Sequence, residues 1–151
     1  MTAVMYPARV SRLGQMIDLP GGLTLAEAME QAEINLAPLR APAMALIEGH
    51  IVELEGLTAH TSTRDQVYAL ASAVIDCASL FDLGDVCAVA AGLCDLVEEA
   101  TPERPFDWRM PALHARTLRL LLSLPDHATG ERLRLRDEIA AVVAHKGAAR
   151  A

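Results

Sequence analysis

Apolar residues recur along this chain at intervals of three and four, the spacing that places side chains on one face of a helix. The first such set is Leu25, Ala28, Met29, Ala32, Leu36 and Leu39. Thr24 stands three residues before Glu27, the capping-box spacing that satisfies free amides at a helix start, so a first helix is predicted from Thr24 to about Leu39. Pro38 and Pro42 interrupt it. Proline lacks an amide donor and clashes with the preceding turn, which predicts a kink or short break at "PLRAP" and puts Pro42 in the first turn of a second helix. Met44, Ile47, Ile51 and Leu54 form that helix's inward stripe.

Thr63 and Gln66 repeat the capping pattern and open a third helix, with Val67, Leu70, Ala71, Val74, Ala78 and Phe81 in one sector of the helical wheel. The opposite sector holds Asp65, Tyr68, Ser72, Asp76 and Ser79, which are therefore expected to face outward. "DLGD" follows. Gly84 is expected to take a left-handed conformation and Asp85 to cap a fourth helix that buries Val86, Val89, Ala90, Leu93, Leu96 and Val97. With so short a connection, the third and fourth helices are expected to pack as an antiparallel hairpin.

The proline-rich "TPERPFDWRMP" predicts a longer connection over which Phe106 and Trp108 fold back as covers. A fifth helix starts at Pro111, with Leu113, Leu120, Leu121 and Leu124 as its expected inward face. "PDHATG" breaks it, and a sixth helix presents Leu135, Ile139, Val142 and Val143. The resulting expectation is an all-α chain: a loosely ordered arm over 1–23, one antiparallel four-helix bundle with additional N-terminal helices over 24–146, and a frayed end over 147–151.

Composition supports helices, since the chain is 52% hydrophobic with only 3% aromatic residues. A formal net charge of −7 leaves no broad basic surface for a phosphate backbone, which argues against nucleic acid as a partner. Apolar runs such as "LRLLLSL" fall far short of the roughly 20 residues that cross a bilayer. The amino terminus lacks a signal-peptide pattern, so a cytoplasmic protein without membrane contact is expected. Cys77, Cys87 and Cys94 form neither an even set nor a CxxC pair and read as small packed thiols.

Candidate chemistry is sparse. No Glu-x-x-His pair of the di-iron bundles occurs, and the reversed His50-x-x-Glu53 reads as a solvated i, i+3 contact, so no metal site is expected. A phosphate-cradling glycine loop, a nucleophile elbow and HExxH are all missing, which predicts neither an enzyme nor a cofactor. His60, His127 and His145 fall in loops or at a helix end. His114 lies in the first turns of the fifth helix, two residues before Arg116 and five before Arg119. An exposed imidazole there, beside basic groups, would be the alternative phosphoacceptor.

Residues 64–100 resemble the histidine-containing phosphotransfer (HPt) domains of bacterial two-component signalling, especially a divergent alphaproteobacterial form. Such domains carry an exposed A-H-D-x-K-G segment on the first helix of a hairpin and a later helix ending much like "SLCRLIE". The corresponding stretches here are "ASAVID" and "GLCDLVE", and "GGLTLAEAMEQAEINLAPL" looks like the helix that precedes such a bundle. The resemblance puts the phosphorylated histidine on Ser72, its helpful lysine on Ile75 and its small glycine on Asp76.

Serine has no imidazole nitrogen, and Asp76 would set a carboxylate against incoming phosphate, so phosphotransfer from this face is not expected. Ala88, Ala91 and Gly92 leave the outer side of the fourth helix smooth enough for a partner to approach. What the resemblance implies is a non-catalytic adaptor or regulator of a phosphorelay. It would bind a receiver domain or a histidine kinase through Tyr68, Ser72, Ile75, Asp76, Ser79, Ala88, Ala91 and Gly92. Two alternatives stand beside it: active phosphotransfer through His114, and a structural bundle that self-associates as a homodimer.

Overall fold

A computed structural model describes residues 24–125 and 127–148, the last three as backbone only. The expected arm over 1–23 and residues 149–151 lie outside this range. All regular elements among the described residues are helical. The chain divides into two compact units, one ending at Ala37 and one beginning at Pro38.

In the first unit, α1 spans Leu25–Leu36. Thr24 caps it: its amide donates to Glu27 Oε2 at 2.7 Å, and its Oγ1 accepts from the Glu27 amide at 3.3 Å. The Thr24 amide, foremost, and the Thr24 hydroxyl, at 2.8 Å, both donate to the Glu27 carboxylate and hold it below its usual range. α1 contains no buried residue, and Leu25 and Met29 stay exposed. After α1, the break expected at Pro38 takes the form of a 3-10 turn, Ala37–Leu39.

The second unit holds α2 (Arg40–Gly56), α3 (Arg64–Ala78), α4 (Gly84–Glu98), α5 (Met110–Ser123) and α6 (Thr129–Ala148). Ile47, Ile51 and Leu54 are the buried residues of α2, and Met44 is half-buried beside them. Thr63 and Gln66 form the reciprocal cap of α3, the Thr63 amide donating to Gln66 Oε1 at 2.8 Å. Val67, Ala71, Val74 and Ala78 are buried on α3, as the wheel predicts.

Each of α2, α3, α4 and α5 packs on two of the others: α2 on α3 and α5, α4 on α3 and α5. α6 lies against α4 and α5. The core between them is fully excluded from solvent at Leu54, Val74, Val86, Leu93, Leu118 and Leu121. Half-buried Phe106 and Trp108 meet edge-to-face at 5.2 Å in the connection between α4 and α5.

Four expectations need correction. The left-handed residue in the turn after α3 is Asp82 (φ 56), not Gly84. α3 runs on through a 3-10 turn, Ser79–Phe81, so the reversal falls early, and aspartate is among the few residues whose short polar side chain tolerates that region. Asp85 consequently lies inside α4. Leu83 holds the N-cap position without a side-chain hydrogen bond, and Asp85 Oδ1 accepts from the Val86 amide at 2.8 Å.

The inward face of α5 is also rotated from its expected position. Leu120 is 53% exposed and Leu113 36%, whereas His114, Ala115, Leu118 and Leu121 are completely buried. The buried set includes proline, histidine, alanine and threonine, at Pro111, His114, Ala115 and Thr117, so the leucines alone do not mark the inward face. On α6, Ile139 is buried and Leu135 and Val143 are half-buried, but Val142 is exposed. Arg132, a charged residue, is 9% exposed and anchors the start of α6 instead.

Candidate functional site

The α3–α4 hairpin carries the outward stripe. Its register is fixed by contacts that run in opposite senses along the two helices. Arg64 Nη1 donates to Ala100 O at 2.7 Å, Ser72 Oγ lies 3.9 Å from Cys94 Sγ, and the Cys87 thiol lies 3.9 Å from Ile75 O. Partners of increasing number on α3 meet residues of decreasing number on α4, which is the antiparallel arrangement expected.

Asp65, Tyr68 and Asp76 are exposed on α3 and Ser79 in the turn just beyond it, and Ser72 is half-buried between them, against Cys94. Ser79 Oγ donates to the Asp76 carbonyl at 3.2 Å. A hydrogen bond and the negative charge of Glu98 push the Tyr68 phenol above its ordinary value, so it stays protonated. Ile75 is half-buried and contributes its carbonyl to the seam. The stripe therefore offers hydroxyls and carboxylates, with no imidazole and no ammonium at its centre.

The three small residues expected beside this stripe turn another way. Ala88, Ala91 and Gly92 line a cavity of about 450 Å³ between α4 and α6, together with Asp95 on α4 and Arg136, Ile139 and Val143 on α6. The smooth side of α4 is thus partly faced by the sixth helix. A larger cavity of about 670 Å³ lies by the hairpin turn, lined by Arg40, Phe81, Asp85, Arg132 and Arg136 among others. Its cations are engaged: Arg132 by Asp85, Arg136 by Asp137, and Arg40 over the Phe81 ring at 5.7 Å.

His114 is not the exposed imidazole that an alternative phosphoacceptor requires. It is completely buried in α5, and its Nδ1 lies 2.9 Å from the Met110 carbonyl. A carbonyl can only accept, so Nδ1 carries the proton and Nε2 presents a lone pair, for which no described residue supplies a partner. The neighbouring arginines point away from it: Arg119 Nη1 meets Glu55 Oε2 at 2.7 Å, and Arg116 approaches the same carboxylate at 3.5 Å.

No group of three or more His, Cys, Asp or Glu residues able to hold a metal ion occurs among the described residues. His50 is half-buried and Glu53 exposed. Cys77, Cys87 and Cys94 are free thiols. No helix among the described residues is long and apolar enough to cross a membrane.

Burial pushes the His114 imidazole below its ordinary value of 6.5, and the hydrogen bond to Met110 offsets only part of that shift. The unfolded chain takes up a proton near the ordinary value while the folded chain does not. In that window the unfolded state binds more protons, so stability rises with pH. Urea unfolding is expected to show stability falling as the pH drops below 6.5 towards the folded value, by up to about 1.4 kcal/mol per pH unit. His114→Phe should remove that part of the slope. Asp95 and Arg136 line the cavity that His114 also lines. Glu27 and Glu55, both lowered from 4.5, act in a separate window below that value.

Comparison with protein-family models, curated proteins and solved structures finds no match.

Proposed function

We propose that α2–α5 form an HPt-like four-helix bundle and that the chain is a cytoplasmic, non-catalytic adaptor of two-component phosphorelay signalling. On this reading it docks a receiver domain or a histidine kinase through the α3 stripe and carries no phosphoryl group. One observation carries the proposal: at the centre of the α3–α4 hairpin, where an HPt domain presents its phosphoacceptor, stands half-buried Ser72, with exposed Asp76 one turn further on.

The surrounding residues agree with docking rather than transfer. Ser72 is held against Cys94 instead of projecting as a nucleophile, and the one histidine on the bundle helix α5 is sealed in the core. Tyr68, Asp76 and Ser79 offer a donor and several acceptors along one exposed line, the kind of polar edge that sets orientation and specificity between partners.

Binding titrations against a panel of receiver domains and kinase dimerisation domains test this. At least one member should bind, and Ser72→Arg, Asp76→Arg and Ser79→Arg combined should weaken that binding at least about tenfold, the scale of a disrupted interface centre. A phosphorylated receiver should leave no acid-labile label on the chain. Binding unaltered by the triple substitution, or transfer of label, would overturn the proposal.

A further inference from the structure

The cavity between α4 and α6 has a feature that its small lining residues alone do not supply. Its wall includes His114, reached across Gly92, and the His114 Nε2 lone pair has no partner among the described residues. A Cβ built on Gly92 would lie 3.9 Å from that nitrogen. Glycine at this position therefore puts no side chain between the cavity and a buried hydrogen-bond acceptor.

An unsatisfied acceptor in an apolar setting is costly to leave unmade, and a group that donates to it recovers that cost. The Met110 carbonyl fixes the tautomer, so Nε2 can only accept. At about 450 Å³ the cavity falls within the size range of small-molecule sites, which are mostly apolar with a few placed polar groups. Ile139, Val143 and Val89 supply the apolar wall, and Asp95 and Arg136 supply its charged groups.

We propose that this cavity binds a compact, largely apolar molecule bearing one hydroxyl donor, its hydroxyl donating to His114 Nε2 over Gly92. Burial keeps the imidazole neutral at ordinary pH, so the acceptor persists. Nε2 is closed to solvent, so the donor enters as α6 yields from α4, and α6 responds to binding. The site is independent of the docking role of the α3 stripe: it uses other residues and would stand if that role failed.

The probes are 4-propylphenol and propylbenzene, which match in shape except for the hydroxyl. They are titrated into the nitrogen-15-labelled full chain, with the His114 side-chain nitrogens and the backbone amides as readouts. The phenol should shift Nε2 in the direction of hydrogen-bond acceptance and move amides around Gly92 and Ala140. Propylbenzene should bind about fivefold more weakly, the scale of one net hydrogen bond.

Gly92→Ala places a methyl over the nitrogen at ordinary contact distance and in a residue better suited to a helix, so it should fold and lose the preference for the phenol. His114→Phe should lose it as well. The proposal is overturned if the phenol leaves Nε2 unmoved up to its solubility limit, if both probes bind equally, or if Gly92→Ala retains the preference. It is overturned too if Nε2 already shows full hydrogen-bond acceptance before any probe is added, because a bound water then satisfies it.

Discussion

Arg132→Met is expected to lower the stability of the second unit by about 3 kcal/mol, the cost of breaking a buried ion pair by removing one partner. The guanidinium binds Asp85 with both edges, Nε to Oδ2 at 2.6 Å and Nη2 to Oδ1 at 3.1 Å. Its Nη1 donates to Leu121 O at 2.7 Å and Leu124 O at 3.1 Å. Those carbonyls lie at and just beyond the end of α5, where backbone donors run short; Leu121 O also accepts from the Leu124 amide at 3.3 Å. One side chain thus joins the start of α4, the end of α5 and the start of α6.

Both side chains of the pair are little exposed, 11% for Arg132 and 14% for Asp85, so solvent screening does not erase the interaction. Removing the arginine strands the Asp85 carboxylate and takes a donor from the Leu121 and Leu124 carbonyls, the first of which keeps the Leu124 amide. For a domain of this size the midpoint of thermal unfolding should fall by roughly 10 °C. Arg132→Lys keeps the charge but not the fork, so it should lose an intermediate amount. Asp85→Leu combined with Arg132→Met should recover much of the loss, because no unpaired charge then remains. A loss below about 1 kcal/mol for Arg132→Met would mean that the contacts are present but energetically idle.

Leu118→Ala should cost about 3 kcal/mol and Leu120→Ala less than about 0.5 kcal/mol, although the two leucines lie two residues apart on α5. Leu118 is completely buried beside Leu121 and His114, and truncating it leaves a hole that close-packed neighbours fill only in part. Leu120 is 53% exposed. Urea unfolding of the two variants, compared at equal slope, separates the outcomes. Equal losses would place the inward face where the leucines alone suggest it lies.

That rotation of α5 marks the limit of hydropathy as a guide. Where apolar residues hold the buried positions without exception, as at Val67, Ala71, Val74 and Ala78, the wheel finds the core face directly, and the Thr63–Gln66 box finds the helix start. On α5 a histidine occupies a core position. It is tolerated there because the Met110 carbonyl one turn back satisfies Nδ1, a local bond that periodicity does not register. Arg132 escapes notice for a similar reason, since its acceptors are 47 residues away in sequence at Asp85 and at the end of another helix.

The stripe on α3 was readable from spacing because it depends on one helix only. That Ser72 is leaned on by Cys94 required the register of the hairpin, and the cavity behind Gly92 required knowing which side of α4 receives α6. The turn differs for a smaller reason: glycine is the usual left-handed residue, but the 3-10 extension through Phe81 delivers that conformation to Asp82 before Gly84 is reached.

The two thiols in the hairpin seam give that seam its own gauge. Burial pushes both the Cys87 and the Cys94 thiol up, so little thiolate, the form that attacks electrophiles, is present while α3 and α4 stay together. Alkylation of buried Cys94 by a reagent such as iodoacetamide is then limited by how often the helices part, whereas Cys87 is only half-buried. A slow covalent clock for hairpin breathing is built into the native sequence, and occupation of the α3 stripe by a partner would be read as a slowing of it.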